Sequence, residues 1–590
     1  MRFKISKSAL PIAFVLILGA LLRFWGLKYG YPYSIGHFDE VFGVRYAVSF
    51  GVTRSLRPEF FFYPAFYFYF LFSLYAGFFI LGSLAGWFSN LAEFAFIYLT
   101  HPGTFYLIGR AASAVLGSCT IAIIYLIGKK AYGRTHGLIA AILLSFCYTH
   151  AYRSHLATAD VTMVFLCCLS FFFIYNVFTR AKLKDYLLAG LLAGLATSTK
   201  YMSFLLILPL SLAHLCSARN CARPWLKRLW SRKLIFAYLL LVAGFILGSP
   251  YWVLDFKSYF YYFRFDSSLI GKFGMIGYSK EGLWLRPLAQ LAQKEYLLGI
   301  SFIVGTIYAL IRPQRRDWIF LSFILPSFLY LGHWTTFKFH YLLVILPFCA
   351  ILAARLLIDL PQRLMPGKKA FWLSSILVIL ILLPSGYKIA DLNWRMSHPD
   401  VRIIAKEWIE NNIPQGTKIA LFVTRYRDCP QIVSQLGEFD SIDYGPRARK
   451  TYANPALSEL LDQYFSQQKT YKIYRLEKQL SDAAVAQILA DFPAEYQQDP
   501  YLKHLYQRDW HSLAELKIKG VEYIIISSFT YGKYFGVSAP EEGNPTRPFF
   551  LKGRSYYQML LSSPELQLVK EFQPGANNLG PELKLIKIRD

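Results

Sequence analysis

Apolar residues run along this chain in long blocks up to about residue 387, and then the blocks stop. Each is long enough, or nearly so, to cross a hydrocarbon layer of about 30 Å as a helix. The pattern predicts membrane helices at roughly 9–27, 62–82, 85–101, 104–127, 137–152, 160–178, 185–199, 201–217, 234–250, 295–311, 318–333, 341–358 and 370–386. Two of these are weak: 85–101, which holds Glu93, and 185–199, where Gly190 and Gly194 would let a neighbouring backbone pack closely. From about 388 the pattern becomes that of a soluble domain. Asp400 to Gly416 reads as an amphipathic helix with a Pro/Gly stop, and 418–423, 521–527, 566–569 and 583–588 read as short strands. The expected fold is a membrane α-helical bundle of about thirteen spans over 1–387, followed by a soluble mixed α/β domain over 388–590.

Charge orients the bundle. Basic clusters stand at Arg2/Lys4/Lys7, Lys129/Lys130/Arg134, Arg180/Lys182/Lys184, 219–233, Arg312/Arg315/Arg316 and Arg363/Lys368/Lys369. The positive-inside rule puts all six in the cytoplasm, so an even number of crossings separates each consecutive pair. The later clusters obey this directly. Between Lys7 and Lys129 it is met if the stretch 62–101 crosses twice. The N-terminus then lies in the cytoplasm. The first loop (28–61), the large loop 250–294 and the C-terminal domain lie outside.

The ionisable residues that suggest chemistry collect on that outer face: Asp39 and Glu40, Arg57, Arg153, Asp160, Lys200 and Lys338. From Phe38 to Phe50 the spacing of Phe38, Phe42, Tyr46 and Ser49 predicts a helix lying on the membrane surface, capped by His37 or Ser34. Asp39 and Glu40 fall in its first turn, where carboxylates suit the positive end of the helix dipole. By local pattern they are either a helix start or a reacting pair. The loop 250–294 has an aromatic half, 259–265, that suits an interfacial belt, and a glycine-rich half through Gly271, Gly274, Gly277 and Gly282 that suits either a flap or a plain surface loop.

Composition agrees with lipid. The 590 residues are 55% hydrophobic and 17% charged, below the roughly 25% charged of soluble domains. A net charge of +27 invites nucleic acid. The Lys and Arg sit in short loops between apolar runs, however, and no nucleic-acid-binding signature accompanies them. Of eight cysteines only Cys429 falls in the soluble domain, which therefore has no internal disulfide.

No phosphate-binding glycine loop, dinucleotide fingerprint, zinc-protease motif or nucleophile elbow is present. An enzyme acting outside without a nucleotide must take its activated group from a carrier that has crossed the membrane, and a polyprenyl-phosphate sugar fits. Transfer needs a carboxylate to take a proton from the acceptor and fixed cations to meet the charge on the departing phosphate. Asp39 is the candidate base; Arg57, Arg153, Lys200, Lys338 and Arg110 are candidate cations. Lys200 and Lys338 taken singly are equally readable as side chains snorkelling at helix ends, and Asp160 as a helix N-cap. A flippase for lipid-linked sugars is the alternative class. It predicts inverted repeats and broken helices, and neither is visible.

Several motifs resemble a known family. They are the Asp39-Glu40 pair after the first helix, Phe62-Tyr63-Pro64-Ala65-Phe66-Tyr67, Arg110-Ala-Ala-Ser-Ala, Arg153 through Asp160, Gly194 through Lys200, and Lys338-Phe-His-Tyr341. In order and spacing they are similar to the GT-C glycosyltransferases of the protein O-mannosyltransferase and lipid A aminoarabinose-transferase type. The resemblance implies a bacterial inner-membrane enzyme of the hexosyl- or pentosyltransferase class that inverts the anomeric centre. Its donor would be a polyprenyl-phosphate (undecaprenyl-phosphate) sugar, and its acceptor an extracytoplasmic lipid, glycan or protein. It implies catalytic roles for Asp39, Glu40 and Asp160, and a donor-phosphate role for Lys200, Lys338, Arg153, Arg57 and His340. No cofactor is required. A divalent cation stays open, with His37 and His155 as ligands if one is used. One departure stands out: the aminoarabinose type has Glu-Lys-Pro-Pro where this chain reads Phe62-Tyr63-Pro64-Ala65, so the phosphate-binding lysine is missing there.

Overall fold

The computed structural model describes residues 10–217, 230–276, 284–422, 428–434 and 454–589. The basic stretch 219–229, Gly277, Gly282 and the expected strand end at Val423 lie outside the described residues. The helices run α1 Leu10–Phe24, α2 Phe38–Thr53, α3 Phe66–Leu84, α4 Leu91–Thr100, α5 Gly103–Tyr132, α6 Arg134–Ser145, α7 Tyr148–Ser154, α8 Ala159–Arg180 and α9 Leu183–Thr197. Beyond these come Arg232–Gly248, Leu297–Ile311, Asp317–Gly332, Leu346–Leu364 and Lys368–Met396. By length and composition, four helical stretches among the described residues suffice to cross a membrane: α3, α5, α8 and Lys368–Asn412. Six shorter apolar helices accompany them.

Many of these helices present apolar side chains outward, as at Phe14, Leu239, Leu247, Phe371 and Trp372. Such a surface is costly in water and natural against lipid. The bundle core is built round Leu346–Leu364, in which every residue from Leu346 to Ile358 is buried. A helix buried on all sides belongs at the centre of a bundle, and α5, α6, α8 and Leu297–Ile311 are among the neighbours that share its core. The glycine expectation holds: a Cβ at Gly190 would lie 2.0 Å from the Ala237 carbonyl oxygen, and one at Gly194 2.1 Å from that of Leu241. So α9 and Arg232–Gly248 meet backbone to backbone.

Two expected spans break. The block 137–152 divides at Phe146–Cys147 into α6 and α7, and 201–217 opens as a 3-10 turn, Tyr201–Leu206. The block 62–101 differs more. The helix α4 has ten residues, about 15 Å of rise, too short to cross. Contacts join α3 and α4 to α5, to the residues that follow α9 and to the C-terminal domain. The Phe66 amide bonds the Ser198 carbonyl, Tyr75 Oη donates to the Phe105 carbonyl at 3.1 Å, and Leu71 lies under Gly109 and Ala157. Ala92 and Phe96 of α4 pack on Leu457 and Leu461 of the C-terminal domain. Aromatic residues of α3 interlock with α2, Phe68 against Tyr46 and Tyr69 and Phe72 against Phe50.

The C-terminal domain is mixed α/β, as expected. Its strands are β1 Lys418–Leu421, β2 Val433–Ser434, β3 Thr470–Arg475, β4 Glu477–Gln479, β5 Arg508–Trp510, β6 Tyr523–Ser527, β7 Leu566–Phe572 and β8 Leu583–Ile588. Six form one sheet in the order β2-β3-β1-β6-β8-β7. The pairings from β2 to β6 are parallel, with Ile419 opposite Ile473, and β8 runs antiparallel to β6 and β7. The predicted helix is observed as Val401–Asn412, with Asp400 as its N-cap. Asp400 also pairs with buried Arg402 and accepts from Tyr29 Oη, which ties this domain to the first outer loop.

Candidate active site

The helix α2 begins at the residues that the sequence singled out. His37 is its N-cap: Nδ1 accepts from the Asp39 amide at 3.2 Å, while Glu40 reaches back to the His37 amide at 2.8 Å. This capping box satisfies two amides of the first turn and fixes both carboxylates. Their surroundings then diverge. Glu40 is fully buried, paired with Arg110 through Nε at 2.8 Å and Nη2 at 3.0 Å, and accepts from the Ala157 amide. All its acceptor capacity is occupied within the protein, and Arg110 is occupied with it. Burial alone would raise the Glu40 carboxyl; Arg110 and the two amides hold it low.

Asp39 faces the other way, with 29% of its side chain exposed. Its Oδ2 lies 3.5 Å from His37 Nδ1 and 3.6 Å from Arg153 Nη1. Arg153, on α7, bridges to Asp160 at 3.4 Å, and Lys200 Nζ meets Asp160 Oδ1 at 2.6 Å. Asp160 is not the helix cap. Thr158 holds that position, and Asp160 follows in the first turn of α8, accepting from Thr158 Oγ1 at 3.2 Å. Lys200 precedes the 3-10 turn Tyr201–Leu206 and Lys338 the 3-10 turn Phe339–Val344, so both cations stand where a helical turn begins. Burial works to raise the Asp39 carboxyl, but His37, Arg153, Lys338 and His340 together hold it well below the usual carboxylate range. The same burial lowers Lys338 and, strongly, His340.

Beside these groups lies a cavity of about 620 Å³, lined by Asp160, Lys200, Asp266, His340, Tyr63 and Tyr341 among others. Aromatic walls with a few convergent ionisable groups are the usual make-up of a small-molecule site. Asp39, Asp160 and His340 offer ligand atoms that all lie within 4.8 Å of one another, a set that can hold a metal ion. Two oxygens and one imidazole nitrogen fit a divalent cation with open positions. Arg153 and Lys200 already neutralise the same carboxylates, so the cation and these side chains are alternative ways of meeting one charge.

The structure thus brings Asp39, Asp160, Arg153, Lys200, Lys338 and His340 together, with His37 at the edge. It does not bring Arg57, which is half exposed and pairs with Asp255 through Nε at 3.0 Å. Nor does it bring His155, whose two ring nitrogens meet the Ala151 and Trp25 carbonyls and leave nothing for a metal. The sequence reading overlooked Asp266, the lone carboxylate that ends the aromatic run 259–265. Its placement on the outer face beside that run was the available signal.

Three comparisons bear on this arrangement. Residues 95–253 match the dolichyl-phosphate-mannose-protein mannosyltransferase family. The matched segment carries Arg110, Arg153, Asp160 and Lys200, four of the positions on which the resemblance rested. No curated protein matches the chain. Among solved structures, the chain is similar to ArnT from Cupriavidus metallidurans in the apo state, at 12% identity and TM-score 0.48, covering 98% of this chain and 97% of that one. It is similar to the archaeal oligosaccharyltransferase AglB from Archaeoglobus fulgidus, at 12% identity and TM-score 0.45, covering 99% and 89%. It is also similar to the S. cerevisiae protein O-mannosyltransferase Pmt1–Pmt2 complex, at 19% identity and TM-score 0.31, over 44% of this chain and 35% of that one.

Proposed function

We propose that this protein is an integral membrane glycosyltransferase of the GT-C type. It moves a sugar from a polyprenyl-phosphate donor to an acceptor outside the cytoplasm, in the inner membrane of a bacterium. The observation that carries this reading is the Arg153 bridge. One buried guanidinium joins Asp39 to Asp160, which lines a cavity together with Lys200 and His340. The match of residues 95–253 to a mannosyltransferase family that uses a lipid phosphate sugar supports it.

Each residue then has a task. Lys200, Lys338, Arg153 and His340 hold the lipid phosphate and meet the charge that builds on it as the sugar leaves. Asp39, partly open at the edge of the cavity, accepts the acceptor's proton as the nucleophile attacks the anomeric carbon from the face opposite the phosphate. Asp160 keeps Lys200 and Arg153 in place. Glu40 and Arg110 fix the first turn of α2 from beneath. A divalent cation, if one is bound, is held by Asp39, Asp160 and His340 and adds positive charge beside the phosphate. The transferred sugar is a hexose or a pentose, and the acceptor is a lipid, a glycan or a protein.

The test is Asp39→Asn in the full-length protein, assayed for release of undecaprenyl phosphate from undecaprenyl-phosphate sugars. Transfer by wild type and a loss of about 10²–10⁴-fold in the variant are expected. Wild-type turnover by a folded Asp39→Asn protein rejects the assignment.

A further inference from the structure

Asp266 is the carboxylate of this cavity to which the scheme above gives no task. It ends the helix Phe256–Asp266 where the chain passes into a π-helical turn, Ser267–Lys272, a winding that recurs at functional sites. It lines the cavity together with Asp160, Lys200 and His340. Asp160 is held by Lys200 at 2.6 Å, and Asp39 stands 3.6 Å from Arg153. Asp266 has neither an ion pair nor a hydrogen bond among the described residues. A partly buried carboxyl that lines a cavity without a charged partner at contact distance is more stable with a proton on it. Burial accordingly raises Asp266 to about 7, against the pull of Lys338.

We propose that Asp266 is the general acid of the transfer, giving its proton to the departing lipid phosphate while Asp39 takes the acceptor's. This rests on the reading of the cavity as a polyprenyl-phosphate sugar site. The acceptor's oxygen or nitrogen forms its bond to the anomeric carbon. The bond from that carbon to the phosphate oxygen breaks, and its electron pair stays on the phosphate. One proton passes from the acceptor to Asp39 and one from Asp266 to the phosphate. Exchange with water returns both carboxyls to their starting forms, Asp39 giving up one proton and Asp266 taking up one, so the acceptor's proton is in effect carried by the departing phosphate. The match is chemical: the second ionisation of a phosphate monoester lies near 6, close enough to a near-neutral carboxyl for the proton to be shared. Two carboxyls in one site with opposite surroundings are the usual mark of an acid and a base.

Other titratable groups face Asp266. Lys338 comes from the stretch before the 3-10 turn, and Tyr201 and Lys200 come from the end of α9 and the turn after it. Lys272 shares its own turn, and His333 and His340 line the same cavity. From the C-terminal domain, His504 packs edge-on against Phe265, and Asp499 accepts from Ser268. A phosphate among these cations raises Asp266 further, so lipid phosphate binding takes up a proton. Affinity is full below about pH 7 and falls as the pH rises above it.

Undecaprenyl phosphate is the probe, because its binding needs no knowledge of the sugar. Its Kd is measured for the full-length protein in detergent at pH 6 and pH 8.5, for wild type, Asp266→Asn and Asp266→Glu. The expected result is a loss of about tenfold in wild type over that range, one pKa unit of coupling. The same trend is expected in Asp266→Glu, and its disappearance in Asp266→Asn. Lys338, His340 and the phosphate's own ionisation are common to all three proteins and cancel in the comparison. A wild-type pH dependence in Asp266→Asn overturns the proposal, as does an equal loss of affinity at both pH values, which is the mark of a merely structural residue. Failure of wild type to bind the lipid at any pH overturns the phosphate site itself, and the proposed function with it.

Discussion

Asp39 and Glu40 are neighbours in the chain with opposite fates. Glu40 lies fully buried against Arg110 at 2.8 Å, and taking away one partner of such a pair leaves an unmet buried charge. Arg110→Ala is expected to destabilise the protein by about 3–5 kcal/mol, read as a lower melting temperature in detergent together with lost activity. Asp39→Asn should instead lose activity at an unchanged melting temperature. Lys338→Ala should weaken donor binding more than it harms the fold; an unchanged apparent affinity for the lipid donor removes Lys338 from the phosphate site. The pH behaviour follows from the signs of the shifts. Asp39 is held low, so its base form is present throughout the neutral range and puts no acid limb there. Asp266 titrates near 7, so activity should fall as the pH rises through neutrality. Sequence pattern alone could not separate the two carboxylates, because both suit a helix start. Only the third dimension shows which one Arg110 takes. Asp266 was overlooked for a related reason: a lone acid after a run of aromatic residues has no spacing partner, and its neighbours in space come from 160, 200 and 338.

At the scale of elements, the strongest sequence signals were those in which one residue type has one mechanical consequence. Gly190 and Gly194 are such a signal, since the facing backbone of Arg232–Gly248 leaves no room for a side chain. Gly194→Val is expected to abolish recovery of folded protein, because the obstruction is backbone and cannot move aside; folded, active Gly194→Val protein contradicts that packing. The start of α2 was legible through capping chemistry, which offered His37 or Ser34 and is observed at His37, and the helix Val401–Asn412 was legible through its amphipathic spacing and Pro/Gly stop. The block at 62–82 is observed as α3, apolar and long enough to cross, whereas 85–101 yields only the ten-residue α4. The contacts of α4, Ala92 and Phe96 against Leu457 and Leu461, join segments more than 350 residues apart and leave no mark in local pattern. The strand β3 was missed although Tyr471 and Ile473 alternate inward, because Thr470, Lys472 and Tyr474 dilute a run of only six residues.

The whole molecule joins an apolar helical bundle, which holds the cavity, to a C-terminal α/β domain. Tyr29, Asp400 and Arg402 clamp the first outer loop to the start of that domain, with Arg402 Nη2 3.0 Å from Tyr29 Oη. The large loop is held in the same way, through Ser268 on Asp499 at 2.7 Å. A C-terminal domain fastened to both loops suits selection of an acceptor, and it favours the transfer reading over a flippase, whose halves must rock past each other. The most direct measurement is mass spectrometry of the lipids extracted from the purified full-length protein before and after incubation with an envelope fraction that supplies the acceptor. The account predicts a glycosylated polyprenyl phosphate that is converted to the bare polyprenyl phosphate by wild type and persists with Asp39→Asn. A wild-type preparation in which no such lipid is bound or consumed, or an Asp39→Asn protein that consumes it equally fast, contradicts the account.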